Sequence, residues 1–126
     1  MKVKIDTKEK FHVITLLDDN IAANMTAEMA QRLLPYLQNV VKNVVLIMEK
    51  VTKIDEAAAD ELLNIQQQYY DNGASFVICQ LQPDVEQFLL DTDKLEMMNV
   101  TPTESEAWDI VQMEEIEREL GDDEEL

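Results

Sequence analysis

Apolar residues fall in short blocks along this chain, and the spacing within the blocks changes from one to the next. Val3-Lys4-Ile5-Asp6 and His12-Val13-Ile14-Thr15-Leu16-Leu17 are extended runs on either side of a polar turn at 7–10, which predicts a hairpin. Residues 18–24 read as a loop. Thr26 is a good helix N-cap, and behind it Ala30, Leu33, Leu34 and Leu37 recur at helical spacing. Pro35 lies inside that pattern and predicts a kink or an early end. Residues 44–48, Val-Val-Leu-Ile-Met, are apolar on both faces, as expected of a central strand. From Glu56 the spacing is helical again. Ala58, Leu62, Ile65 and Tyr69 fall on one face with Ala59, Leu63 and Tyr70 beside them, and Asp71-Asn72-Gly73 supplies the stop. Residues 75–79 form another buried strand. Pro83 opens a short helix carrying Val85, Phe88, Leu89 and Leu90, and residues 97–100 make a weak edge strand. Thr103 is placed to cap a last helix with Ala107, Trp108, Ile110, Val111 and Ile116. Gly121 and the acids after it read as a frayed tail.

The predicted order is β-β-α-β-α-β-α-β-α. Strands alternating with helices give an α/β fold with a parallel part and helical cover, and the opening hairpin makes the sheet mixed. The expectation is one domain over residues 1–119, with a four- to five-stranded mixed sheet and about four helices, then an acidic C-terminal tail over 120–126. A length of 126 residues and an apolar fraction of 46% suit a single core.

Charge narrows the partners. With 27 acidic and 10 basic residues the net charge is −17, a surface that repels nucleic acid and anionic membranes and favours basic protein patches. No stretch approaches membrane-spanning length, and the first residues lack the apolar core of a signal peptide, so a cytoplasmic location is expected.

Chemistry for catalysis is sparse. The one histidine, His12, lies within a predicted strand without a placed partner and reads as a surface or rim side chain. Cys79, the one cysteine, sits in the apolar run Phe76-Val77-Ile78-Cys79 and reads as a buried reduced thiol. Asp18-Asp19 and Asp91-Thr92-Asp93 do not follow calcium-loop spacing, and one histidine with one cysteine makes a structural zinc site implausible. Two glycines, Gly73 and Gly121, leave no glycine-rich phosphate loop or dinucleotide fingerprint. The methionine pairs Met25, Met29 and Met97, Met98 read as core filling. The expectation is a non-enzyme without metal or cofactor.

The most informative stretch is the corner where the 44–48 strand leads through Lys53-Ile54 and a capping Asp55 into the helix at Glu56. A helix start presents unpaired N–H groups and a positive dipole end, and this one carries acids and alanines, with no serine, glycine or basic residue. With this corner and this element order, the chain resembles the STAS domain, the family of anti-sigma-factor antagonists. Thr26-Ala27-Glu28 resembles the start of that family's first helix. The run 73–79 resembles its Gly-Gly-hydrophobic strand, and Pro83-Asp84-Val85-Glu86-Gln87-Phe88-Leu89 its Ser-Pro-x-Val-x-x-x-Leu helix. At the corner, residues 53–60 stand where the family has a hydrophobic-Asp-Ser-Ser/Thr-Gly-Leu-Gly motif. Asp55 keeps the family's aspartate, while Glu56 replaces its phosphorylatable serine, Ala57 its next hydroxyl residue, and Ala58 and Asp60 its glycines.

The resemblance implies a regulatory module that binds an anti-sigma kinase-like protein or another regulator through this corner. The partner-binding residues would be Lys53, Asp55, Glu56, Ala57 and Asp60, with alanines permitting close approach and acids meeting basic groups. Glu56 either serves the helix dipole alone or holds the domain in something like a phosphorylated state; a single carboxylate carries less charge than a phosphate. Thr52 is the one hydroxyl placed to act on this face, and a turn-forming role is its simpler reading. The alternative function is a structural or accessory STAS subunit of a transport or sensory assembly. Homo-oligomerisation is left open.

Overall fold

Val44, Leu46 and Val45, Ile47 point alternately to opposite sides of one strand, and both sides are covered. That strand organises the molecule. In the computed structural model, which describes residues 1–124, β1 (Val3–Thr7) pairs antiparallel with β2 (Phe11–Leu16), and β2 pairs parallel with β4 (Asn43–Ile47). β4 pairs parallel with β6 (Phe76–Cys79), and β6 with β7 (Val100–Thr101). The mixed five-stranded sheet runs β1-β2-β4-β6-β7, with the predicted central strand in its middle and buried throughout.

Helices α1 (Thr26–Leu33), α2 (Glu56–Asp71) and α3 (Pro83–Asp91) carry the crossovers between parallel strands and bury Met29, Leu33, Leu62, Ile65, Val85 and Leu89 with Leu46 and Ile78 in one core. The opposite face of the sheet is covered by α4 (Glu104–Glu124), through Ala107, Val111 and Trp108, whose ring stacks on Phe11 at 4.7 Å.

Several expectations need correction. Thr26 does not cap α1 with its side chain. A 3-10 turn at Ala23–Met25 leads into the helix, and the Thr26 hydroxyl donates back to the Ala23 carbonyl, 3.1 Å. Pro35 does end α1, which passes into a 3-10 turn at Leu34–Gln38 that admits proline near its start. The loop at 18–24 contains a short strand, β3 (Asn20–Ile21), paired parallel with β5 (Lys53–Ile54). His12 is buried rather than at a rim. Its Nε2 donates to the Val41 carbonyl at 2.9 Å, so Nδ1 accepts from the Thr7 hydroxyl at 3.0 Å, and the ring packs on Tyr36. The edge strand begins at Val100 rather than 97, because Leu95–Met97 forms a 3-10 turn. Of the methionines, Met29 and Met98 fill the core but Met97 is exposed. Helix α4 passes through Gly121 to Glu124, where a frayed tail was expected. Once a helix is running, one glycine costs only about 1 kcal/mol. The remainder of that tail, 125–126, lies outside the described residues.

Cys79 and Gly73 match their expectations. Burial pushes the Cys79 thiol up to about 12. Gly73, next to the Asn72 cap that closes α2, takes φ +69°, a left-handed conformation that glycine adopts without strain.

Candidate functional site

The corner forms at the C-terminal rim of the sheet. β4 ends at Ile47, the buried Met48 and Val51 anchor the turn that follows, and β5 runs straight into α2. Asp55 makes the corner rigid. Its Oδ1 accepts from the Ala58 N–H at 2.9 Å, the N-cap bond of α2, and its Oδ2 accepts from the Ala23 N–H at 2.7 Å. Its own N–H donates to the Ile21 carbonyl at 3.2 Å. One carboxylate thus satisfies two backbone donors and ties the start of α2 to the turn before α1. The Asp19 carbonyl completes the lock, accepting from the N–H groups of Thr52 and Lys53 at 2.8 and 3.1 Å and from the Thr52 hydroxyl at 3.1 Å.

The five predicted site residues are adjacent but differently disposed. Glu56, Ala57 and Lys53 are exposed on the rim. Asp55 is half-buried and its oxygens are committed to the backbone, so it shapes the surface rather than offering a free charge. Asp60 is exposed, but its carboxylate already holds Lys94 at 2.5 Å, and this contact keeps the Lys94 ammonium above the ordinary lysine value. Ala58 and Ala59 are fully buried, where small side chains let α2 close on the sheet.

A groove of about 470 Å³ runs beside the corner, between Lys53–Glu56 and the Asp84, Val85 and Phe88 positions of α3. The sequence reading missed Ile21 and Ala23 as parts of the corner, Phe88 as a wall of the groove and Lys94 as the partner of Asp60. Ile21 left a signal, a lone apolar residue in a polar loop; Lys94 left none, since its partner is 34 residues away. Among the described residues no group of three or more histidine, cysteine, aspartate or glutamate side chains is placed to hold a metal ion, and no helix is long and apolar enough to cross a membrane.

Comparison with known proteins agrees with this architecture. The family model for the STAS domain matches residues 2–107. Among solved structures, an anti-sigma factor antagonist from Mycobacterium paratuberculosis superposes with a TM-score of 0.74 at 12% identity, covering 88% of this chain and 93% of that one. An anti-sigma-factor antagonist (STAS) domain protein from Planctomyces limnophilus gives 0.71 at 16% identity, covering 83% and 93%. RsbS from Moorella thermoacetica, carrying a serine-to-glutamate substitution, gives 0.71 at 18% identity, covering 89% and 96%. No curated protein matches by sequence.

Proposed function

The chain belongs to the STAS domain family, and on that premise we propose that it is a non-catalytic regulatory module that docks a partner protein through the β5–α2 corner. The partner is an anti-sigma kinase-like protein or another regulator with a basic contact surface. The observation that carries this reading is the division of labour between Asp55 and Glu56. Asp55 spends both carboxylate oxygens on backbone N–H groups, while Glu56 and Ala57 next to it face outward on a held backbone. A surface fixed before binding loses little conformational entropy when a partner arrives.

Glu56 gives this module a permanent charge where the family motif places a phosphorylatable serine. No hydroxyl follows Asp55 to accept phosphate, so a kinase has no acceptor at that position, and partner choice rests on fixed charge. Lys53, Glu56 and the groove beside Phe88 form the contact surface. Asp60 enters it only if a partner's basic group displaces Lys94. Anti-sigma factor antagonists among its structural neighbours support a protein partner.

The test is affinity capture from the native cell with the wild-type chain and with Glu56→Lys. Glu56 is exposed, so Glu56→Lys keeps the fold, which circular dichroism verifies, although a cation at the start of α2 lowers the melting temperature by a few degrees. A protein held by the wild type and lost with Glu56→Lys is the expected result. Equal capture by both chains removes the corner as the docking face.

A further inference from the structure

The family match ends at residue 107, but α4 continues to Glu124. Its inner side is accounted for. Ala107, Val111 and Trp108 cover the sheet, Glu115 accepts from Asn43 Nδ2 at 2.7 Å, and Arg118 Nη1 donates to the Ser75 hydroxyl at 3.2 Å. Asn43 and Ser75 sit at the starts of β4 and β6, so these two bonds mark where the helix reaches the end of the sheet.

The other side of α4 is not accounted for by the fold. Met113, Ile116 and Leu120 are 56, 55 and 57% exposed. Spacings of three and four residues place them in one stripe, turned away from Val111 and Arg118. Three large apolar side chains left more than half in water on a single helix face are unlike scattered surface apolar residues. The borders of the stripe are acidic. Glu117, four residues after Met113, flanks one side and Glu119, three residues after Ile116, the other, while Asp109, four residues before Met113, closes the end of the stripe nearer the start of α4, and all three are exposed. Arg118 is the only basic residue of the described helix, and it is turned to the sheet.

The geometry points to a second docking surface on α4, which takes a basic amphipathic helix of a partner protein. An apolar stripe of Met, Ile and Leu fits the apolar face of such a helix, and its lysine and arginine flanks meet Asp109, Glu117 and Glu119. A second copy of this chain fits poorly. It would set one acidic border against another, in molecules that each carry −17. This surface lies beyond the family match and does not depend on the corner.

The test uses the full chain and a synthetic leucine–lysine amphipathic helix, with a sequence-scrambled peptide of identical composition as control, in fluorescence anisotropy at physiological salt. The amphipathic peptide binds more tightly than the scrambled one. Ile116→Ser with Leu120→Ser weakens it about tenfold or more, as loss of apolar anchors does. Glu117→Lys with Glu119→Lys weakens it as well, and Ile5→Ser, at an exposed apolar position on β1, leaves it unchanged. The substituted side chains are all about half exposed or more, or charged, so the folded chain is retained, which the melting temperature verifies. Equal affinity for the scrambled peptide, or unchanged binding after Ile116→Ser with Leu120→Ser, overturns the proposal. So does a dimer in sedimentation that those two substitutions dissociate, because the stripe is then covered by a second copy.

Discussion

Asp55 and Glu56 are neighbouring acids with separable roles, and substitution distinguishes them. Asp55→Ala leaves the N–H groups of Ala58 and Ala23 without their acceptor, and the expected loss of stability is about 1–2 kcal/mol, measured by urea denaturation. Glu56→Ala removes only a favourable charge near the helix dipole and is expected to cost under about 1 kcal/mol. A second prediction concerns Cys79. Its thiol titrates near 9 in an unfolded chain and is pushed up to about 12 by burial in the folded one. Between those values the unfolded chain releases a proton that the native chain keeps. The contribution is therefore complete below pH 9 and declines as pH rises toward 12, with a limiting slope of about 1.4 kcal/mol per pH unit. Stability of the wild type minus that of Cys79→Ala, followed from pH 8 to 11, is the measurement, and a flat difference would contradict it.

At the scale of elements, the strands and helices with strong periodicity were legible. The all-apolar run at 44–48 read as a central strand because both of its faces are apolar and it is too short for a helix, and Asp55 was identifiable as the cap of α2 because it stands directly before an alanine-rich apolar repeat. What escaped was set by distant partners. β3 and β5 are two residues each, too short for any period, and exist because Asn20 and Ile21 find Lys53 and Ile54 across 33 positions. His12 looked like a rim residue because its partner, the Val41 carbonyl, belongs to a segment without a pattern. Asn43 is the clearest such case. Its side chain donates to the Lys10 carbonyl and to Glu115 and accepts from the Ser75 N–H at 2.8 Å, which joins β4, the start of β6 and α4. Asn43→Ala strands a buried N–H and is expected to lower unfolding free energy by about 2 kcal/mol. Ser75→Ala keeps that backbone bond and should cost less, a contrast that chemical denaturation resolves.

For the molecule as a whole, the charge was plain in the sequence, but the fold decides how it is felt. Three ion pairs form among the described residues, at Met1–Glu28, Lys8–Asp6 and Lys94–Asp60, while the chain carries 27 acidic side chains. Most carboxylates therefore repel one another without compensation, and compaction works against that repulsion. Salt should act in two opposite directions. Raising sodium chloride from about 0.01 to 1 M shortens the screening length from about 30 to about 3 Å, which relieves the repulsion and should raise the melting temperature by roughly a few degrees. The same screening weakens the attraction of any basic partner to Glu56 on the corner or to Glu117 and Glu119 on α4, chiefly by slowing association. A chain held together mainly by ion pairs would instead melt earlier in salt. Calorimetry and stopped-flow association on one salt series measure both effects. Opposite slopes mean that the negative surface costs stability and is retained for recognition, whereas a melting temperature that falls with salt would show that the acids are paired more extensively than the three contacts indicate.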